Sequence, residues 1–221
     1  MTYRWDGITR SESLSEWAAT ARHELADRAR AYDWAAVFDL LGEPRYAEWA
    51  NAARPGGRSW YAPLHQAAYG GAPVEVARRL IEVGAWRALR TADGERPVDI
   101  ARRQGHHHLR EPLEPPRLVD VPDDELRRVQ EHFHGLICHR AGKLVDEHRL
   151  RLPELEVLLE TPGGGSGFSV PGMYGGFSFT LAVEDGRARL TTESWSRVVG
   201  GSGQRHEITV GGVDLVAEGF V

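Results

Sequence analysis

Apolar positions along this chain follow two different rhythms, one in each half. From residue 15 to 41 they recur at helical spacing, with Leu25, Ala29, Tyr32 and Ala36 in one row, followed by Val37, Phe38, Leu40 and Leu41. Ser11, Ser13 and Ser15 offer helix starts, and Gly42 and Pro44 stop the run. A second short helix is expected over 46–53, before Arg54-Pro55-Gly56-Gly57 turns the chain. The helical rhythm returns after 121, where Leu126, Val129, Phe133, Leu136 and Ile137 form a buried stripe that fades at Gly142. Acidic residues Asp123, Asp124 and Glu125 sit at the positive end of that helix. Residues 144–159 are ambiguous, because Pro153 interrupts Leu150, Leu152, Leu155 and Leu158.

From Gly167 onward the period becomes two. Phe177, Phe179, Leu181 and Val183 alternate, Glu184-Asp185-Gly186 turns, and Ala188, Leu190 and Thr192 return toward Trp195. Residues 205–210 and 213–216 flank Gly211-Gly212 as a further hairpin. Four or five antiparallel strands are expected, with the preceding helix packed on one face.

Between these regions the chain repeats itself. Residues 59–85 read SWYAPLHQAAYGGAPVEVARRLIEVGA, and 86–106 read WRALRTADGERPVDIARRQGH. Aligning Pro63 with Pro97 sets Leu64-His65 against Val98-Asp99 and Ala67 against Ala101, an offset of 34 residues. A period of that size marks stacked supersecondary units. Pro63 and Pro97 suit a first helical position, where the missing N–H costs nothing. Ala67, Ala68 and Ala101 let short helices approach closely. Gly84 suits a left-handed helix end, and Asp93-Gly94 suits a tight hairpin.

Ala62-Pro63-Leu64-His65-Gln66-Ala67-Ala68-Tyr69-Gly70, then Gly84-Ala85, then Asp93-Gly94-Glu95-Arg96-Pro97 and Gly105-His106, resemble the ankyrin repeat family. The resemblance covers about half the chain, residues 25–110, as a degenerate cap, one full repeat and one partial repeat. Ala62 and Arg96 stand where the family has threonine, so its Thr–His hydrogen bond has no donor hydroxyl here, and Gly71 adds a residue to the repeat. With the helix and period-two region that follow, the resemblance makes this an α+β protein: a short ankyrin-type helical array, then a helix and a small antiparallel sheet. The corresponding division is 1–24, an N-terminal segment; 25–110, the repeats; 111–117, a stiff proline-rich linker; and 118–221, the helix and β domain. The resemblance also implies a protein-interaction module or adaptor.

Aromatics support that expectation. Six of seven tryptophans (Trp5, Trp17, Trp34, Trp49, Trp60, Trp86) lie in the first half, and aromatic and arginine side chains dominate interface hot spots. Trp60, Tyr61, Tyr69, Trp86, Arg87, Arg90, Asp93 and Arg96 are the expected protein-binding positions, on the hairpin tips and the concave face such arrays use. The alternative role for the tryptophans is to cap and fill a short array. Because the array is short, pairing of its unfinished end with a second copy, a homodimer, is a further expectation.

Charge and composition narrow the picture. The net charge of −5 argues against a nucleic-acid partner. It is uneven: 17 basic and 16 acidic side chains up to residue 117, against 10 and 16 beyond. A single cysteine, Cys138, excludes an internal disulfide and suits a reducing compartment. The first residues carry no secretory pattern, and no stretch reaches the roughly 18 apolar residues of a membrane helix. A cytoplasmic protein without a membrane partner is expected.

Candidate chemistry is sparse. His132, His134, Cys138 and His139 hold ligand-type side chains, but one helix cannot converge all four on a metal, so solvent-facing histidines are expected. His106-His107-His108 reads as the close of a repeat, and 161–167 as a flexible glycine loop with no helix behind it to hold a phosphate. No cofactor or metal is expected and no catalytic motif is assigned. Around Pro171-Gly172-Met173-Tyr174-Gly175-Gly176-Phe177, strands pairing in order bring Tyr174 near Trp195, Arg197, Arg205, His206 and Glu207. Two readings of this region stand open: a hairpin whose aromatics fill the core, or a small-ligand or acid–base pocket that would make the β domain a receptor or enzyme.

Overall fold

The computed structural model describes residues 4–184, 186–197 and 202–219. The protein is α+β, and its chain divides into two compact units. One is Ile8–Pro116; the other is Arg117 onward joined by the N-terminal stretch up to Gly7.

The first unit is built from short helices. In chain order they are α1 (Glu16–Arg30), α2 (Trp34–Gly42), α3 (Pro63–Gly70), α4 (Val74–Glu82), α5 (Pro97–Arg103) and α6 (Arg110–Leu113). The single helix expected over 15–41 is two helices. Tyr32 has φ of 60°, a left-handed value that ends α1, and the Asp33 carboxylate accepts from the Ala36 N–H to start α2. The helix expected over 46–53 is a 3-10 turn, Ala47–Asn51. Pro63 and Pro97 occupy first helical positions, and Gly71, Gly84 and Gly105 take φ of 63°, 100° and 78° at the helix ends. Residues 110–113 are helical rather than extended linker, with Leu113 fully buried.

Helix α3 packs between α1 and α5, while α4 packs against α3 and α6. Their core joins Leu25, Val37, Leu64, Leu80, Val98, Ile100, Leu109 and Leu113, with Ala67, Ala68, Ala77 and Ala101 at the close approaches. Each fully buried Leu, Ile or Val contributes about 1.5–3 kcal/mol against its solvent-exposed state.

The second unit is a six-stranded sheet in sequence order: β1 (Arg4–Trp5), β2 (Gly165–Val170), β3 (Gly175–Glu184), β4 (Arg187–Ser196), β5 (Ser202–Thr209) and β6 (Gly212–Gly219). Neighbours from β2 to β6 are antiparallel; β1 pairs parallel with β2 through Arg4–Gly167 and Trp5–Phe168. The N-terminal segment therefore contributes an edge strand to the C-terminal sheet. Trp5 is buried and its indole N–H donates to the Arg151 carbonyl at 2.8 Å. Of the turn expected at Glu184-Asp185-Gly186, Asp185 lies outside the described residues, and Gly186 has φ of 72°.

Helix α7 (Asp123–His148) packs on one sheet face. All five residues of its expected stripe are buried. Phe133 meets Phe179 and Phe177 with ring centroids 4.9 and 6.3 Å apart. The ambiguous stretch resolves into a 3-10 turn, Leu155–Leu159, with Leu155, Val157, Leu158 and Leu159 buried. Among the described residues no helix is long and apolar enough to cross a membrane.

Candidate functional site

In the helical unit, the end of α1, the loop before α3 and the exposed side of α3 surround a cleft of about 550 Å³. Tyr32, Trp60, Tyr61 and Tyr69 supply ring surface, and Arg30, Arg54, Arg58, Gln66 and Asp93 supply polar groups. Gln66 and Tyr69 share one side of α3 because they are three residues apart. The Tyr61 and Tyr69 rings meet edge-on at 6.2 Å. Tyr32 and Tyr69 are 43% and 45% exposed, so the walls present apolar surface to solvent.

Two of the four aromatics sit in a backbone region that side chains avoid. Trp60 has φ of 56° and Tyr32 has φ of 60°. Such conformations cost about 1–3 kcal/mol each and cluster at binding sites. At Gly70 a Cβ would stand 2.3 Å from the Tyr32 ring, so glycine lets that ring lie against the end of α3. Arg54 is paired with Asp27. Arg30, Arg58 and Asp93 are exposed and form no ion pair among the described residues, which leaves their charges available.

The structure gathers Trp60, Tyr61, Tyr69 and Asp93 from the expected binding positions, and separates the rest. Trp86 is 3% exposed and belongs to the core; its backbone N–H donates to Asn51 Oδ1, and Asn51 Nδ2 donates to the Gly84 carbonyl, both at 2.8 Å. Arg90 donates to the Gly94 carbonyl within its own hairpin. Arg96 is held by Asp99, whose carboxylate also accepts from the Arg96 backbone N–H. Burial would raise the Asp99 pKa, but these bonds and the nearby Arg102 hold it below the usual value. Arg87 is half-buried and does not line the cleft. Arg30, Tyr32, Arg54, Arg58 and Gln66 are the additions. Tyr32 carried no signal of its own, because its spacing fits a buried row; the Pro-Gly-Gly turn beside Arg54 and Arg58 was visible.

The histidine run has a structural explanation. His106 donates to the Tyr69 carbonyl at 3.1 Å and His108 to the Ala72 carbonyl at 3.0 Å, so both satisfy groups at the end of α3. On the rim, Arg103 donates to both Glu95 oxygens, at 2.8 and 2.9 Å, and reaches the Tyr61 hydroxyl at 3.5 Å. Burial raises the Tyr61 pKa, and Arg103 opposes that rise in part.

In the sheet unit, the acid–base pocket, one of the two readings left open for this region, is not assembled. Successive strand residues point to opposite faces. Trp195 and Arg205 therefore lie on the face away from α7, while His206 lies on the face toward it, buried at 7% exposure. Arg205 is paired with Glu193 at 2.8 Å, and Glu207 with Arg189. Tyr174 is 74% exposed at the β2–β3 turn with φ of 50°, and the Arg197 backbone N–H donates to its carbonyl. On the outer face Trp195 separates two shallow hollows of about 390 and 380 Å³. The first is floored by Gly203, Ala217 and Gly219; the second is rimmed by Arg4, Ser169 and Thr180.

Of the α7 histidines expected to face solvent, His139 is exposed, while His132 and His134 are half-buried and bonded. His132 Nδ1 donates to the Thr209 carbonyl at 2.9 Å, and His134 Nε2 to the Pro153 carbonyl at 2.7 Å. Burial pushes the His134 pKa below its ordinary value. Cys138 is exposed, and among the described residues no three His, Cys, Asp or Glu side chains cluster as metal ligands. The 161–167 loop is a tight turn running into β2, with Gly164 donating to the Thr161 carbonyl and so near Leu181 that a Cβ would meet its carbonyl at 2.5 Å.

No protein-family model and no curated protein matches this chain.

Proposed function

We propose that Ile8–Pro116 is a short ankyrin-type array that serves as a protein-interaction module, and that its partner docks in the aromatic cleft. The helix pairs α1/α2, α3/α4 and α5/α6, the proline-led first helices and the glycine ends support the array. The observation that carries the binding role is the cleft itself: four ring faces, two of them on left-handed backbone, beside the unpaired Arg30 and Arg58. Rigid aromatics with arginine at the rim are what hot spots are made of. The partner segment is expected to carry an apolar anchor and carboxylates.

Panning a displayed random-peptide library against the full chain tests this, with Arg58→Ala/Tyr69→Ala as counter-bait. Selection of acidic, apolar-anchored peptides by the native chain alone supports the reading. Equal selection by both baits removes it.

A second proposal, a homodimer, has one feature in its favour. The edge strand β6 leaves Val213, Leu215 and Val216 39–52% exposed, and an open apolar edge favours pairing with another strand. Sedimentation of the native chain and of Leu215→Lys decides it: concentration-dependent dimerisation lost in the variant supports the edge, and a monomer throughout excludes it.

A further inference from the structure

The inner face of the sheet changes character along the strands. Over most of its area it is apolar, with Phe168, Phe177, Phe179, Leu181, Leu190 and Ile208 buried. Toward one end of β4 and β5 it becomes polar. Thr192 pairs with His206 and Ser194 with Gln204, so these four side chains share that face. Ser194 is 1% exposed and His206 7%. Diagonal neighbours on paired strands are within reach of one small ligand.

Among the described residues, three polar atoms there are buried without hydrogen-bond partners: Ser194 Oγ, His206 Nδ1 and Arg140 Nε. Arg140 reaches this region from α7, donating through Nη2 to Ser202 Oγ at 3.3 Å. Its half-buried guanidinium pairs with no carboxylate at ion-pair distance among the described residues. Buried polar atoms are normally bonded and buried charges normally paired, so each of these exceptions calls for a counterpart. Directly after Arg140 the helix breaks, with Ala141 at φ −140° and ψ 19°.

We infer that Arg140, Ser194 and His206 form a site for a small oxyanion, specifically the carboxylate of a small molecule, between α7 and the polar end of the sheet. Arginine Nε–H can only donate, the serine hydroxyl can donate, and the imidazole donates from Nδ1 in one tautomer. The acceptor common to all three is an oxyanion. Glu218 sets the charge. It faces His206 together with His139 and Arg140, and it accepts from Gln204 Nε2 at 2.9 Å. A carboxylate already beside the site disfavours a dianion, so a monoanion fits better than phosphate. Burial and the Arg140 charge push the His206 pKa down, which keeps the imidazole neutral and able to share a proton in a hydrogen bond. This site is separate from the cleft of the helical unit, and its test does not depend on that reading.

The test is an NMR titration of the ¹⁵N-labelled full chain with sodium acetate at constant ionic strength set with sodium chloride, with inorganic phosphate as a parallel arm. The Arg140 Nε–H and His206 ring resonances are expected to shift saturably with acetate. Ser194→Ala, which keeps every charge, is expected to weaken the apparent affinity about tenfold, in line with the loss of one hydrogen bond to a charged ligand. Arg140→Lys, which keeps the charge but removes Nε, is expected to weaken it similarly. Absence of saturable shifts in the native chain overturns the site, leaving internal water as the partner of these atoms. Tighter binding of phosphate than of acetate overturns the carboxylate assignment, and an equal response to chloride alone marks an adventitious ion only.

Discussion

His65 accepts the Ala62 backbone N–H at Nδ1 and contacts the Leu89 carbonyl through Nε2 at 3.0 Å, which fixes its tautomer with the proton on Nε2. One imidazole thus caps its own helix and reaches a backbone carbonyl 24 residues ahead in the same compact unit. His65 is fully buried, so nothing else can satisfy the two groups if the ring is removed. His65→Ala is expected to lower unfolding stability by about 3 kcal/mol, since each buried orphan costs about 1–3 kcal/mol. Urea denaturation measures it; a loss too small to resolve would show that the bonds are not structural.

Stability should also depend on pH through two histidines, the half-buried His134 and the buried His206. His134 and His206 both have folded pKa values below the ordinary 6.5. The unfolded chain therefore binds their protons first as pH falls. Their contribution is complete above 6.5 and is lost as pH drops through 6.5 toward the folded values. Unfolding free energy is expected to fall between pH 7.5 and 5.5. His134→Gln should flatten the profile; an unchanged slope in that variant would show that its titration is not coupled to folding.

In the sheet unit, Phe133 is fully buried against Phe177 and Phe179. Phe133→Ala is expected to cost about 3–5 kcal/mol, the range for truncating a core aromatic. A calorimetric scan resolving a shift in the sheet unit's transition checks it, and an unmoved transition would contradict the packing.

Gly70→Ala separates shape from stability in the cleft. The new methyl would displace the Tyr32 ring, while the helix gains up to about 1 kcal/mol of propensity. Binding of a selected peptide should weaken with thermal stability nearly unchanged. Unaltered affinity would show that Tyr32 is not part of the binding surface.

Much of this architecture was legible because short-range rules decide it. Pro63, Pro97, Gly84 and the α7 stripe each carry their own local signal. The strand alternation of Phe177, Phe179 and Leu181 did too. The failures share a cause: they needed long-range information. Two residues, Arg4 and Trp5, are too few to show a strand period, and they pair with a partner some 160 residues away. Tyr32 fits a helical row but sits in a left-handed break. Trp86 looked like an exposed anchor and fills the core, because large aromatics serve both roles. Strands pairing in order group Arg205 with His206 beside Tyr174, yet strand alternation sends the two side chains to opposite faces.

The central claim is that the cleft of Tyr32, Trp60, Tyr61 and Tyr69 binds a protein segment. The affinity of one selected peptide, compared between the native chain and Arg58→Ala/Tyr69→Ala by calorimetric titration, tests it most directly. At least about a tenfold weakening, at unchanged thermal stability, is the predicted result for the loss of a hot-spot aromatic and its neighbouring charge. Equal affinity for both proteins would contradict it and move the binding surface elsewhere.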